Sequence, residues 1–380
     1  MTAVDDIRLE PSRLPRADWA LVTNDAARTA DGRPSRQALL AAGLRIRRLF
    51  SPEHGIHAIG EDGAPQPDGQ DPLTGLPVAS LYGDRWAPRS EQLADIDAVL
   101  FDIPDIGCRF YTYLWTLTHV MEACASAGLP LFVADRPNPV GTVLNAAEGP
   151  WLDETRCSSF IGRWDIPLKH ACTLGELARY FKHTRLPALE LHVIPVPGMT
   201  RGHARLSDPF HPTSPAMPSL QTALLYPGLG LLEGVNLNEG RGTDKPFTRF
   251  GAPWLDPAAV IRRLDAEARA GIGLRQTSYR PLTGPYAGED CAAIEVEVAD
   301  PARLMSVRTG IALLRALQVV HGDRLMERPY PTQANPSGGA HLDRLLGQPD
   351  SFLRIHENEL QTDDIADDWR ERMQPFLLYP

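Results

Sequence analysis

Residues 51–55 read Ser-Pro-Glu-His-Gly and set a carboxyl group beside an imidazole directly after the apolar pair Leu49-Phe50. A carboxyl group among apolar neighbours keeps its proton more readily than one in water, which is the property a general acid needs. A second dense stretch, LEGVNLNEGRGT at 232–243, threads Glu233, Asn236, Asn238, Glu239 and Arg241 between glycines. Glycine permits close backbone approach, so such a loop can aim several side chains into one small volume. Asp102 and Glu148 add acids; Arg109 and Arg136 add forked donors suited to an anionic or carbonyl-bearing ligand. Acids with guanidinium groups fit glycoside hydrolysis, in which two carboxyl groups flank the bond and one is protonated to help the leaving oxygen depart. Tyr111, Tyr113, Trp115 and Trp151 are either apolar platforms for sugar faces or core aromatics.

Other chemistries fit less well. Gly240-Arg241-Gly242-Thr243-Asp244-Lys245 lacks the spacing of a phosphate loop, and no strand carrying GxGxxG leads into a helix, so no nucleotide cofactor is expected. His54 and His57 lie three apart near Glu53, as do Asp102 and Asp105, but neither pair forms a metal-binding signature, and no metal is expected. Two rival readings use the same residues: a non-catalytic module that captures amino-sugar acids with its arginines, and a metal-dependent amidase or deacetylase acting on cell-wall fragments. The first would tolerate loss of Glu53; the second would lose activity on chelation.

These groups need rigid supports, and the first half of the chain supplies them. Apolar runs at 19–24, 44–50, 77–81, 98–103 and 130–135 read as strands; 35–42, 89–93 and 112–127 read as helices, the last closed by Gly128. Strands alternating with helices predict an α/β fold with a Rossmann-like, mostly parallel sheet covered by helices on both faces. In such a sheet the ligand crevice lies outside the carboxyl ends of the strands. Four strands end there in polar chemistry: Asn24-Asp25, Ser51 to His54, Asp102 to Asp105, and Asp135 to Asn138. The aperiodic segment 55–75 is expected to be a loop over the same edge. Beyond it, a helix at 174–181, a strand at 189–196 and an irregular stretch at 198–218 are expected. A helix at 257–270, strands near 278 and 293–298 and a helix at 303–320 then suggest a fresh start, a smaller α+β domain.

At 380 residues the chain exceeds one ordinary domain of roughly 100–200 residues, and the division is placed between 1–253 and 254–380. With 43% hydrophobic and 23% charged residues the composition is that of a globular protein. A net charge of −10 argues against nucleic acid as the main partner. No apolar run reaches the ~20 residues of a membrane span, and the first 25 residues carry no apolar signal-peptide core, so the expected location is the cytoplasm, with a small molecule as partner. Five cysteines without a C-x-x-C pair suggest neither a disulfide framework nor a zinc knuckle.

In their order along the chain, SPEHG at 51–55, TGLPV-x-SLYG at 74–83, FDI-x-D-x-G-x-RFYTY at 101–113, DRPNP-x-G at 135–141, EGP at 148–150, GELA at 175–178, EGVNLNEGRGT at 233–243 and GAPW at 251–254 resemble the exo-acting β-N-acetylmuramidase family, first known only as a domain of unknown function. The resemblance spans nearly the whole chain. It implies a Rossmann-like N-terminal domain, a smaller C-terminal one, and release of terminal N-acetylmuramic acid from peptidoglycan fragments without a cofactor. It also gives the arginines a purpose, since muramic acid carries a lactyl carboxylate. The departures are His57, Cys108 and Ala171-Cys172, where the resemblance leads one to expect Arg, Ala and Gly-Met, and an N-terminus in which no leader is expected. On this reading Glu53 is the general acid, with Glu239, then Glu148, as the second catalytic carboxylate facing it across the crevice. His54, Asp102, Arg109, Tyr111, Arg136, Asn138, Asn236 and Arg241 are expected to bind substrate.

Overall fold

The computed structural model describes residues 1–360 and 365–380. Its main sheet contains β1 (Asp18–Thr23), β2 (Arg45–Ser51), β3 (Gly69–Gln70), β4 (Pro77–Ser80), β5 (Ala98–Asp102), β6 (Leu131–Ala134) and β7 (Leu191–Ile194). The spatial order is β3-β4-β2-β1-β5-β6-β7, and every pairing is parallel except that of edge strand β3 with β4. The strands read as unbroken apolar runs because both faces of the sheet are buried. Trp19, Leu21, Leu49 and Leu100 point into one core, beneath the N-terminal helix Ala3–Leu9 and the helix Ser35–Ala41. Their neighbours Ala20, Val22, Phe50, Val99 and Phe101 point into the other, where the helices Tyr113–Ala127 and Leu174–Thr184 pack. This is the two-residue alternation of a pleated strand. Gly128 stops its helix in the left-handed conformation expected of it, at φ 67°.

After β1 the chain builds outward through β2 to β4, then returns to the other side of β1 with β5 and continues to β6 and β7. The strand order therefore reverses between β1 and β5. The residues following β1, β2, β5 and β6 gather at one edge of the sheet, as the polar strand endings required.

The second sheet is antiparallel, with β8 (Arg249–Ala252), β9 (Ile272–Tyr279) and β10 (Cys291–Val298) in the order β8-β10-β9. The division expected at 253/254 falls too late for this sheet, because β8 already pairs with β10 there through Ala252 and Ala292. The helix Leu220–Leu229 also belongs with this half, lying against the helix Ser306–His321. Their crossing depends on Gly228 and Gly310: a Cβ on Gly228 would sit 1.8 Å from the Ser306 carbonyl oxygen, and one on Gly310 would sit 2.3 Å from the Gly228 oxygen. Ile294, Val296, Leu313 and Leu317 join Val22 and Phe101 in a single apolar cluster, so both sheets share one core. The expected helix at 257–270 ends at Arg263. His341–Leu346, Ser351–Glu357 and Ile365–Met373 are helices that the sequence patterns did not reveal. No helix among the described residues is long and apolar enough to cross a membrane.

Candidate active site

Strand β2 ends at Ser51, where its pairing with Ser80 of β4 fixes the backbone, and Glu53 lies two residues beyond at the sheet's carboxyl edge. Its side chain is buried, with 4% exposure, and its two oxygens accept from the Gly63 N–H at 2.8 Å and the Thr112 hydroxyl at 2.7 Å. Burial, and after it the negative charge of Asp62, raises the Glu53 carboxyl above its ordinary value; His54 and the two hydrogen bonds oppose this only partly. The chain turns immediately afterwards, with His54 at φ 66° and Gly55 at 71°, and His54 Nδ1 lies 2.8 Å from the Gly60 carbonyl. A carbonyl only accepts, so the proton sits on Nδ1.

Asp62 belongs to the loop that this turn begins. Its Oδ2 accepts from the Tyr330 hydroxyl at 2.5 Å and lies 2.8 Å from Nη1 of Arg241. Burial alone would push the Asp62 carboxyl up, but the Arg241 charge, His54 and the bonds from Arg241 and Tyr330 together outweigh it and hold it far below the carboxylate range. About a third of the side chain, 34%, remains open to the cleft. Two neighbouring carboxyl groups are thus pushed in opposite directions, one toward the acid and one toward the anion, which lets one offer a proton and the other a fixed negative charge.

Arg241 holds the site together from the glycine-rich stretch. Besides Asp62 it meets Glu233 at 2.5 Å, and its guanidinium stands over the Phe247 ring at 4.9 Å. His341 stacks on Tyr330 at 4.6 Å and brings its Nε2 to 3.5 Å from the second Glu233 oxygen. Glu53, His54, Asp62, Glu233, Arg241, Tyr330 and His341 line a cavity of about 60 Å³ whose apolar wall includes Phe110, Met217 and Phe247. His54, Asp62, Ala216 and Arg241 are also the threshold of an outer chamber of about 250 Å³, reaching Ile59, Gly242 and Thr243.

Glu53, His54 and Asp62 offer ligand atoms within 4.8 Å of one another, so a metal must be considered. The set does not suit one. His54 Nε2 and Asp62 Oδ1 remain as donor atoms, but both Glu53 oxygens accept hydrogen bonds within the protein, and the Arg241 guanidinium, 2.8 Å from Asp62 Oδ2, already supplies the counter-charge and would repel a cation.

Comparison with known proteins places this geometry in a family. The model of the exo-β-N-acetylmuramidase NamZ N-terminal domain matches residues 19–221, and that of the NamZ C-terminal domain matches residues 224–378. The chain belongs to the exo-β-N-acetylmuramidase NamZ family. These are glycosidases. One relative, the peptidoglycan β-N-acetylmuramidase NamZ of Bacillus subtilis strain 168, is 34% identical over 337 residues, covering 88% of this chain and 78% of its own length. Two solved structures of DUF1343 family proteins from Bacteroides fragilis NCTC 9343 share the fold at 25% identity. Their TM-scores are 0.87 and 0.78, each covering 100% of this chain and 98% of the other. The two NamZ models meet between 221 and 224, ahead of the helix crossing at Gly228.

Within this NamZ fold, four of the residues expected from the sequence line the cavity: Glu53, His54, Tyr111 and Arg241. Tyr111 donates its hydroxyl to Thr213 Oγ1 at 2.6 Å and so presents its ring rather than a free hydroxyl. The others lie elsewhere, each for a physical reason. Glu239 is buried behind Arg241, with Arg241 Nε at 3.6 Å and Arg328 at 3.8 Å, and does not line the cavity. Glu148 bonds Lys169 at 2.8 Å and accepts from the Val307 and Arg308 N–H groups at 3.0 and 3.2 Å, so it holds the N-terminus of the helix Ser306–His321 rather than facing Glu53.

Arg109 is fully buried and donates to four backbone carbonyls, those of Pro150, Ile166, Leu345 and Leu346. With no carboxylate bonded to it, burial pushes it down to about 10. Arg136 bonds Asp102 at 2.6 Å, the Arg28 carbonyl and Ser35 Oγ, and this knot fills the crevice between the ends of β1, β5 and β6. Asn138 spans the Cys172 carbonyl and the Val140 N–H, and Asn236 ties the Arg324 carbonyl to the Met326 N–H. Tyr113 and Trp115 are core residues, and Trp151 packs against Trp369. Asp62, Tyr330 and His341 were missed. Asp62 had one available signal, its place in an unusually long loop over the sheet edge.

Proposed function

We propose that this chain hydrolyses the β-glycosidic bond of a non-reducing terminal N-acetylmuramic acid in peptidoglycan-derived saccharides, without a metal or cofactor. The observation that carries this reading is the opposed pair at the end of β2: Glu53 pushed toward its acid form and Asp62 held as the anion, within one lined cavity. Glu53 donates its proton to the departing aglycone oxygen, and general acid assistance of this kind contributes ~10²–10⁴-fold. Family membership and the activity of the Bacillus subtilis relative, a peptidoglycan β-N-acetylmuramidase, support the same substrate.

Arg241 is assigned to the lactyl carboxylate. Of the three arginines considered from the sequence, Arg241 lines both the inner and outer chambers, whereas Arg109 and Arg136 line neither. Arg241 Nη1 and Nη2 already meet Asp62 and Glu233, so the lactyl carboxylate is met by the remaining N–H groups and the charge of the guanidinium, a charge-assisted contact that a neutral sugar cannot return. The test is a pair of chromogenic glycosides, one of N-acetylmuramic acid and one of N-acetylglucosamine, given to the purified protein. The muramic compound should be cleaved in preference. Equal cleavage, or cleavage of the glucosamine compound alone, would overturn the assignment.

A further inference from the structure

Glycoside cleavage at a 2-acetamido sugar requires something to meet the anomeric carbon as the aglycone departs, and the cavity offers few candidates. Glu239 and Glu148 do not line it. Glu233 does, but one oxygen is 2.5 Å from Arg241 and the other faces His341 Nε2 at 3.5 Å. Asp62 is different. Its Oδ2 takes both Arg241 and Tyr330, while its Oδ1 has no hydrogen-bond partner among the described residues and belongs to a side chain open to the cleft.

The manner in which Asp62 is held decides which job suits it. A nucleophile must give up electron density to carbon, and a carboxylate gripped by a guanidinium and a phenol is a weak base and a poor donor. A group that stabilises positive charge needs only to remain an anion, which the Arg241 guanidinium 2.8 Å away favours. The electron pair must then come from the substrate itself.

Resting on the reading above, we propose that the acetamido oxygen of the bound sugar is the nucleophile, and that Asp62 is a catalytic residue whose Oδ1 accepts the acetamido N–H. The carbonyl oxygen forms a bond to the anomeric carbon. The glycosidic C–O bond breaks, its electron pair going to the aglycone oxygen, which takes the Glu53 proton. The resulting five-membered oxazolinium ring is cationic, with its N–H against the Asp62 carboxylate. Water then attacks the anomeric carbon and gives its proton to the ionised Glu53; the ring opens and restores the acetamido group. The configuration at the anomeric carbon is retained.

The decisive experiment uses the unaltered protein and N-acetylmuramic chromogenic glycosides whose acetyl group is replaced by fluoroacetyl, difluoroacetyl and trifluoroacetyl. Fluorine withdraws electrons from the carbonyl oxygen, so kcat/KM should fall steadily, by about tenfold or more across the series, since each tenfold in rate is a modest change in barrier. Asp62→Asn should lower kcat by on the order of 10²–10³, the effect of removing one preorganised charge, and the Asp62→Ala variant should yield no α-glycosyl azide when azide is added. A flat fluoroacetyl series, or α-glycosyl azide from Asp62→Ala, would overturn the proposal in favour of direct attack by Asp62. Failure of the acetyl parent to be cleaved at all would instead refute the muramidase reading on which the proposal rests.

Discussion

Replacing Glu53 by Gln should separate catalysis from stability. The amide fits the existing contacts: its oxygen can accept from the Gly63 N–H, and its NH₂ can donate to the Thr112 hydroxyl once that rotor turns. It cannot protonate a leaving oxygen, so kcat on an unactivated glycoside should fall by ~10²–10⁴, about 3–5.5 kcal/mol of barrier. Stability should move the other way. Burial and the Asp62 charge raise the Glu53 carboxyl above its ordinary 4.5, so between those two values the native state binds more protons than the unfolded chain. Its stability therefore falls as pH rises through that window, by up to ~1.4 kcal/mol for each pH unit, and Gln removes the loss. Thermal unfolding of both proteins from pH 4 to pH 8 reads this directly: the Tm values should converge at the acid end, with the Gln variant higher at the alkaline end. If the variant were less stable at pH 8, or retained full turnover, Glu53 would be a structural carboxylate and not a proton donor.

Other outcomes follow from the same contacts. Arg241→Lys should reduce kcat/KM more for a muramic than for a glucosamine glycoside, because a point charge loses the forked geometry; an unchanged preference would remove Arg241 from substrate recognition. Glu148→Ala should strand the buried Lys169 ammonium and free the N-terminus of the helix Ser306–His321, costing about 3–5 kcal/mol in urea unfolding; a cost under ~1 kcal/mol would show the pair to be dispensable. Treatment with a chelator should leave turnover unchanged, since Arg241 already supplies the positive charge beside Asp62; a chelator-sensitive rate restored by added metal would contradict the metal-free reading.

The sequence conveyed the scaffold well for a definite reason. Alternation between adjacent positions such as Leu21 and Val22, each buried in a different core, is a local property of strands packed on both faces, and it marks them without knowledge of the fold. The polar strand endings were legible too, but their fates were not. Asp102 and Asp135 look like Glu53 in composition; Asp102 is spent on Arg136, and Asp135 takes bonds from Thr173 Oγ1, the Gly175 N–H and Tyr379. Whether an arginine is free depends on where all its donors end, and Arg109 ends on carbonyls as distant in sequence as Leu345 and Leu346.

The second half of the site was hidden for a related reason. Asp62 gains its meaning only from Arg241 and Tyr330, which folding brings to it from far along the chain. Glu239 attracted notice through the polar density around it, yet that density includes the cations that bury it behind Arg241. The weaker periodicity beyond β7 concealed the helix Leu220–Leu229, which contains Pro227 and is buried over most of its surface, so it carries no amphipathic stripe.

A cavity at the carboxyl edge of the sheet should remove one terminal muramic acid at a time. A defined, alternating saccharide with N-acetylmuramic acid at its non-reducing end tests this most directly, with the products followed over time by mass spectrometry. Free N-acetylmuramic acid and a saccharide shorter by that one residue should be the first products, with no reaction when the non-reducing end is N-acetylglucosamine. Internal fragments appearing at the earliest times, or cleavage from glucosamine-ended chains, would contradict it.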